Sequence, residues 1–234
     1  MPAEPSRAAA HAPREKVFLL ARHESVVLEW LARRVPARVT PDHMTILGVL
    51  AAFGIAAAYL LSNGDRAWLW AASALLVVHW LGDSLDGTLA RVRRAERPTY
   101  GYYLDHLVDA IATAVIGIGL GLSPYMLLAT GLAIVVAYLV LSINTYLETQ
   151  AFGVFSLGYG RLGPTEARLG LIALNTLPAL GVGLEATVGG LGVTVLDVVG
   201  LVAVAAMLGG LAVRAARNLR TLALREPARP YTAP

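Results

Sequence analysis

The sequence predicts an all-α integral membrane protein, with six transmembrane helices and an N-terminal amphipathic interfacial helix. Three observations predict it. Hydrophobic residues make up 56% of the chain, charged residues only 15%, and mean hydropathy is +0.61, whereas soluble domains carry roughly a quarter charged residues. Long uncharged runs recur at about the 20 residues a helix needs to cross a hydrocarbon core. The Lys and Arg residues sort almost entirely to one side of the runs so defined. Cysteine is absent, which excludes disulfides, thiolate metal sites and a cysteine nucleophile.

Taken in order, residues 1–13 are rich in Pro and Ala and are expected to form a disordered tail, as are residues 222–234. Over 14–37, apolar residues (Val17, Leu20, Val27, Leu28, Leu31) alternate with basic ones, the pattern of an interfacial helix on anionic lipid. A solvated helix packed on the bundle fits the same pattern. The segment does not read as a signal peptide, because no uncharged core precedes a small-residue cleavage site.

The six-helix domain is expected over 38–221. Thr40-Pro41-Asp42-His43-Met44-Thr45 reads as a helix N-cap, and Met44 to Ser62 carries no charge, giving span one. Ala67 to Gly82 is apolar except for His79, and the helical pattern continues through Asp83, Asp86 and Ala90 to Arg91, Arg93 and Arg94, giving span two. Ala110 to Leu147 is uncharged but too long for one crossing. Gly121-Leu122-Ser123-Pro124 divides it by a turn into spans three, starting near Tyr100, and four. Leu169–Leu184 and Val198–Val213 give spans five and six, separated by the glycine-rich Gly189–Gly192.

Of the 19 Lys and Arg, all but Arg66 fall in the N-terminal segment, the loops after spans two and four, or the C-terminal tail. Both termini are therefore expected in the cytoplasm. The same placement argues against nucleic acid as a partner despite a net charge of +3.

Asp83 and Asp86 lie near the cytoplasmic end of span two, and Asp105 and Asp109 near the start of span three. At 3.6 residues per turn, Asp83, Asp86, Gly87 and Ala90 share one helix face, and Gly101, Asp105 and Asp109 share a face of the next. An Asp costs about 2.5–3.5 kcal/mol at a helix centre on insertion scales, and mutual repulsion adds to this. Without cysteine, the oxygen-rich counter-charge is a hard divalent cation, Mg²⁺ or Mn²⁺, and four acids can hold two ions. Two ions clamping attacking and leaving oxygens would suit phosphoryl chemistry. Pairing with Arg91, Arg93 and Arg94 would be the plain structural alternative.

The pattern Asp83-x2-Asp86-Gly87-x2-Ala90-Arg91-x9-Gly101-x3-Asp105-x3-Asp109 resembles the signature of the CDP-alcohol phosphotransferases, integral membrane enzymes of phospholipid synthesis. The gap between Arg91 and Gly101 is nine residues, where eight is commoner. The resemblance implies six membrane helices in a homodimer, and transfer of a substituted phosphate from a CDP-linked donor, CDP-diacylglycerol on the main reading, to a hydroxyl acceptor with release of CMP. It implies that Asp83, Asp86, Asp105 and Asp109 hold two metal ions, with Asp109 as the base for the acceptor hydroxyl. Gly87 and Ala90 would let the nucleotide approach the helix, with Gly101 facing them, and Arg91 would contact the diphosphate. As plain structure, Gly87 and Ala90 are close-packing positions and Arg91 a positive-inside anchor. Asp42 and Thr45 match the family's Pro-Asn/Asp-x-x-Thr segment and are candidate nucleotide contacts, beside their capping role.

His106 after the third Asp, and the stretch from Asn144-Thr145-Tyr146 to Pro164-Thr165-Glu166, are similar to the choline and ethanolamine phosphotransferases. In that branch His106 would share the base role with Asp109, and imidazole titrating near 6.5 suits a base. For the acceptor, the candidates are Asn144, Glu148, Arg161, Glu166 and Arg168. The two glutamates disfavour a dianionic acceptor and suit a cationic head group or neutral lipid alcohol, unless they pair with Arg161 and Arg168. Two rival functions remain. One is an aminoalcohol phosphotransferase using a CDP-aminoalcohol and diacylglycerol. The other is a divalent-cation transporter, which predicts acids spread through the bilayer depth rather than clustered at one face.

Overall fold

The computed structural model describes residues 20–152, 163–183, 185–188 and 191–228. Its elements are α1 (Ala21–Ala32), α2 (Pro41–Leu61), α3 (Trp68–Val92), α4 (Pro98–Gly121), α5 (Leu128–Phe152), α6 (Pro164–Ala179), β1 (Glu185–Val188), β2 (Leu191–Thr194) and α7 (Val195–Arg225). The fold is all-helical apart from the short antiparallel hairpin β1–β2, which pairs Glu185 with Thr194 and Val188 with Leu191. The sequence reading has only a glycine-rich connection at this point, because a two-strand ribbon this short carries no alternating pattern to detect.

Four of the helices, α2, α4, α5 and α7, are long and apolar enough to cross a membrane. The other two candidates fall short of that standard for identifiable reasons. Helix α3 runs 25 residues but includes Asp83, Asp86 and Arg91 in its second half, and α6 has only 16 residues. Helix α6 also ends before the expected Leu184: its last turn holds Pro178, and Gly181 at φ +85° terminates it in the left-handed conformation that favours glycine. Helix α7 overruns the expected boundary instead, so residues 222–225 are helical rather than tail. Its start is as well defined as its end is extended: Thr194 and Asp197 form a capping box, and the fully buried Asp197 also accepts from Leu127 N at 2.8 Å.

The N-cap expected at Thr40 is present. The Thr40 hydroxyl accepts from His43 N at 3.3 Å, and the His43 ring accepts from Thr40 N at 3.0 Å, with Pro41 pre-set at the first helical position. Helix α3 ends in a Schellman motif: Ala95 N donates to Ala90 O at 2.9 Å and Arg94 N to Arg91 O at 3.1 Å. Arg94 takes the left-handed position at φ 53° where glycine is usual.

Helix α2 is the centre of the bundle, packed on α3 on one side and α4 on the other; α6 packs on α3, α5 on α4, and α7 on α5. Lipid-exposed helices gain little hydrophobic drive from meeting one another, so small residues at the crossings decide how close they come. A Cβ on Gly82 would lie 2.5 Å from Gly48 N, and one on Gly119 would lie 2.6 Å from Ala56 Cα. These contacts bring α3 and α4 against α2 backbone to backbone. Between them, the buried Tyr59 donates to Asn175 Oδ1 at 3.2 Å, and Asn175 Nδ2 reaches Ser73 Oγ at 3.3 Å, tying α2, α3 and α6 together through satisfied polar groups.

Helix α1 packs on α3 through Leu28 and Ala32 against Leu85 and Leu89. Its outer side leaves Val26, Val27 and Trp30 exposed. The packed and interfacial readings of this helix are thus compatible, one for each face.

Gly82→Ala is expected to destabilise the protein by about 1–3 kcal/mol through overpacking against α2, read as a lowered thermal midpoint in detergent; an unchanged midpoint would mean the helices are not in backbone contact there.

Candidate active site

The close approach at Gly48 and Gly82 sets the site, because the next residue along α3 is Asp83. A Cβ on Gly48 would come within 3.3 Å of Asp83 N. One turn further along, the Thr45 hydroxyl of α2 donates to Asp86 Oδ2 at 2.7 Å. Helix α4 contributes Asp105 and Asp109, one turn apart on the face turned toward α3. Asp83, Asp105 and Asp109 each present a carboxylate oxygen within 4.8 Å of the others.

Three of the four predicted acids therefore converge directly. Asp86 stands one step away, with Oδ2 engaged by Thr45 and Oδ1 accepting from Gly87 N at 2.5 Å. It is nevertheless within electrostatic range of Asp105 and Asp83. The expected alternative, pairing with the arginines after α3, does not describe the site. Arg93 donates to the backbone carbonyls of Val35, Pro36 and Val39, and Arg91 Nη2 donates to Thr88 Oγ1 at 2.9 Å. The cation at the cluster comes from α6: Arg168 Nη2 donates to Asp83 Oδ2 at 2.5 Å.

Around this trio, Gly87 faces the Arg91 guanidinium, 3.4 Å from where a Cβ would stand. Among the described residues, a Cβ on Gly101 would meet nothing within 4 Å, so their packing does not require glycine there. Ala90 is half-buried on the same helix face as Gly87. Asp42 is ion-paired with Arg97, whose guanidinium lies 3.9 Å over the Tyr100 ring. Thr45 serves as the hydroxyl that orients Asp86.

His106 is held between two rings, Tyr102 at 4.2 Å and Tyr146 at 5.0 Å between centroids. Its Nδ1 lies 2.6 Å from Tyr102 O. A carbonyl only accepts, so this contact assigns a proton to Nδ1, which also lies 4.0 Å from Asp105 Oδ2.

The acceptor candidates separate. Glu148 is buried, accepts from Asn144 Nδ2 at 2.8 Å and from Asn218, and pairs with Arg214. Its partner among the described residues is Arg214 rather than Arg168, because the extended α7 carries Arg214 and Asn218 alongside α5. Glu166 accepts from Gly163 N and Leu20 N, each at 2.9 Å, and so caps α6 and fastens the chain leading into α1. Arg161 lies outside the described residues.

One residue that sequence reasoning passes over is Glu24. Its Oε1 accepts from Trp80 Nε1 at 2.8 Å, Thr165 Oγ1 at 2.9 Å and Ser84 Oγ at 3.2 Å. It joins α1, α3 and α6 beside the site. Among the mixed charges of 14–37 nothing marks it out; its Thr165 partner belongs to a stretch noted only for family resemblance.

An oxygen-only cluster between membrane helices defines a class: multi-pass membrane proteins handling phosphate esters or hard cations. The comparisons narrow the class. The model of the CDP-alcohol phosphatidyltransferase family matches residues 38–213, and the chain belongs to that family. It is 31% identical over 140 residues to CDP-diacylglycerol–serine O-phosphatidyltransferase of Encephalitozoon cuniculi, covering 55% of this chain and 35% of that protein. It is 34% identical over 86 residues to phosphatidylinositol phosphate synthase of Cutibacterium acnes, covering 37% and 39%. The matches thus span well under half of either relative. The fold is that of Mycobacterium tuberculosis phosphatidylinositol phosphate synthase, a crystal structure with CDP-DAG bound: TM-score 0.56 and 23% identity, over 92% of this chain and all of that one.

Glu24→Ala is expected to leave three buried or half-buried donors without their acceptor. The loss is about 1–3 kcal/mol for the first such group, measurable as a lower thermal midpoint together with faster proteolysis at the α1–α2 junction. Proteolysis at the wild-type rate would show that α1 is held by its apolar face alone.

Proposed function

We propose that the chain is a phospholipid-synthesising transferase that moves a phosphatidyl group from CDP-diacylglycerol to an alcohol hydroxyl, releasing CMP. The observation that carries this reading is the convergence of Asp83, Asp105 and Asp109 in a chain that the family model matches over 38–213. The relatives support a CDP-diacylglycerol donor, since one is named for it and the structural neighbour contains CDP-DAG. The same reading makes α3 and α6 the remaining two of six spans, with the site and both termini on the cytoplasmic side, and the enzyme a homodimer. The exposed apolar faces of α4 and α7 are open to lipid or to a second copy.

The donor set fits a divalent metal. All three ligand atoms are carboxylate oxygens within 4.8 Å of one another, the hard donors that such a cation takes. Asp83, Asp105 and Asp109, with Asp86 beside them, would hold Mg²⁺ or Mn²⁺, which when bound supplies charge neutralisation to the diphosphate. Two ions are the family's expectation for four acids.

The chain's own residues do the rest. Arg91, exposed at the rim, offers its fork of donors to the diphosphate. Gly87 and Gly101 leave the space that a nucleotide laid against α3 and α4 would occupy. Asp109 belongs to the trio, its carboxylate oxygen within 4.8 Å of those of Asp83 and Asp105, and is read as a metal ligand. The acceptor hydroxyl's proton is assigned to His106, whose ring is oriented by the Nδ1 contact with Tyr102 O and by the flanking Tyr102 and Tyr146 rings. As the acceptor oxygen bonds to the phosphorus carrying the lipid alcohol, the bond to the CMP oxygen breaks in line. This is one displacement, with inversion at phosphorus.

Because Glu148 is neutralised by Arg214 and Glu166 serves as a cap, neither acid argues for a cationic acceptor. The geometry thus weakens the case for the aminoalcohol branch. The acids also cluster at one end of α3 and α4, contrary to a transport pathway through the bilayer depth.

CMP release is the test. Membranes containing the chain are expected to release CMP from CDP-diacylglycerol with one member of an alcohol panel and Mg²⁺, and Asp105→Asn to abolish it; release only from CDP-choline or CDP-ethanolamine with diacylglycerol would move the chain to the other branch. Gly101→Ala is expected to fold with equal or up to about 1 kcal/mol greater stability, as alanine replaces glycine in an unobstructed helix position, yet to lose activity at least tenfold. Retained activity would mean no ligand approaches α4 there. His106→Gln is expected to lower kcat by about 10²–10⁴ with Mn²⁺ affinity unchanged; a parallel loss of Mn²⁺ affinity would place His106 among the ligands instead.

A further inference from the structure

We propose that Arg168 is a built-in counter-ion of the carboxylate cluster, holding Asp83 before a divalent cation loads and being displaced from it when the cation binds. The inference rests on the reading of Asp83, Asp105 and Asp109 as a metal site and concerns what that site does when empty.

Three half-buried carboxylates within 4.8 Å of one another repel. Arg168 Nη2 donates to Asp83 Oδ2 at 2.5 Å, with the two side chains only 15% and 17% exposed. The same Nη2 stands 3.5 Å from His79 Nε2. The guanidinium therefore touches the imidazole while it is paired with Asp83. Its backbone is firmly placed. Two residues earlier, Glu166 caps α6 and binds Leu20 N, and Thr165 is held by Glu24. The site thus has a fixed base and a long, flexible arm whose charged end reaches the acids.

A guanidinium and a dication that share one carboxylate oppose each other. Arg168 accordingly relieves the self-repulsion of the empty cluster and lowers its affinity for the cation. The cation, carrying twice the charge and accepting oxygens from all three acids, displaces the arm when it enters. An anionic cluster is thereby kept partly neutralised, and metal loading stays reversible.

The test uses Mn²⁺ alone, without nucleotide, with bound and free ion counted by EPR on the purified full-length protein in detergent. Arg168→Gln is expected to bind Mn²⁺ at least tenfold more tightly than wild type, and Arg168→Lys, which keeps the charge, within about twofold of wild type. Equal or weaker binding by the Gln variant overturns the counter-ion role while leaving the metal site in place. Absence of Mn²⁺ binding by both wild type and the Gln variant would overturn the metal site, and this proposal with it. A measurement on the wild-type protein covers the case in which the Gln variant fails to fold: the rate of Arg168 modification by phenylglyoxal, read by peptide mass spectrometry. Mn²⁺ is expected to raise that rate severalfold by freeing the guanidinium, and an unchanged or lowered rate contradicts displacement.

Discussion

Electrostatic repulsion among Asp83, Asp105 and Asp109 is the constraint on which the rest of this molecule turns. Carboxylates whose oxygens come within 4.8 Å of each other are unfavourable anywhere and more so between apolar helices, where little water screens them. The fold offers only partial relief. Arg168 pairs with Asp83, and Asp86 is drawn aside by the Thr45 hydroxyl and the Gly87 amide. Three carboxylates beside one guanidinium are the arrangement from which a bound divalent cation is proposed.

Building such a cluster depends on backbone proximity more than on side-chain packing. Helices α3 and α4 each pack on α2, and they do so at glycines whose missing Cβ lets the chains touch, Gly82 against Gly48 and Gly119 against Ala56. The first contact is one residue from Asp83, so the register of α3 on α2 sets where that carboxylate points. Glu24 and Glu166 then fix α1 and the start of α6, and with them the base of the Arg168 arm. The positions matched by the family signature thus sit in a frame made by residues outside it. Gly101, within the signature, differs: among the described residues a Cβ there would meet nothing within 4 Å.

Much of this was legible in the sequence, for physical reasons. Charge-free runs and helix periodicity are local, so the helices, the cap at Thr40 and the turn at Gly121–Pro124 follow from adjacent residues. The i, i+3 and i, i+4 spacing of the acids also defines a face without reference to the fold. What the sequence could not place were pairings between distant segments. Arg168 reaches Asp83 across 85 positions, Glu148 meets Arg214 on α7, and Glu24 gathers donors from two other helices. Element ends were misplaced where a single residue decided them, as with Gly181 ending α6 early, and the β1–β2 hairpin was too short to register as a pattern.

The most direct measurement of the central claim is anomalous X-ray diffraction from crystals of the protein grown with Mn²⁺. The account predicts anomalous density among the carboxylates of Asp83, Asp105 and Asp109, with the Arg168 guanidinium no longer on Asp83 Oδ2. Density absent from that cluster, with the three carboxylates turned away from one another, would contradict it.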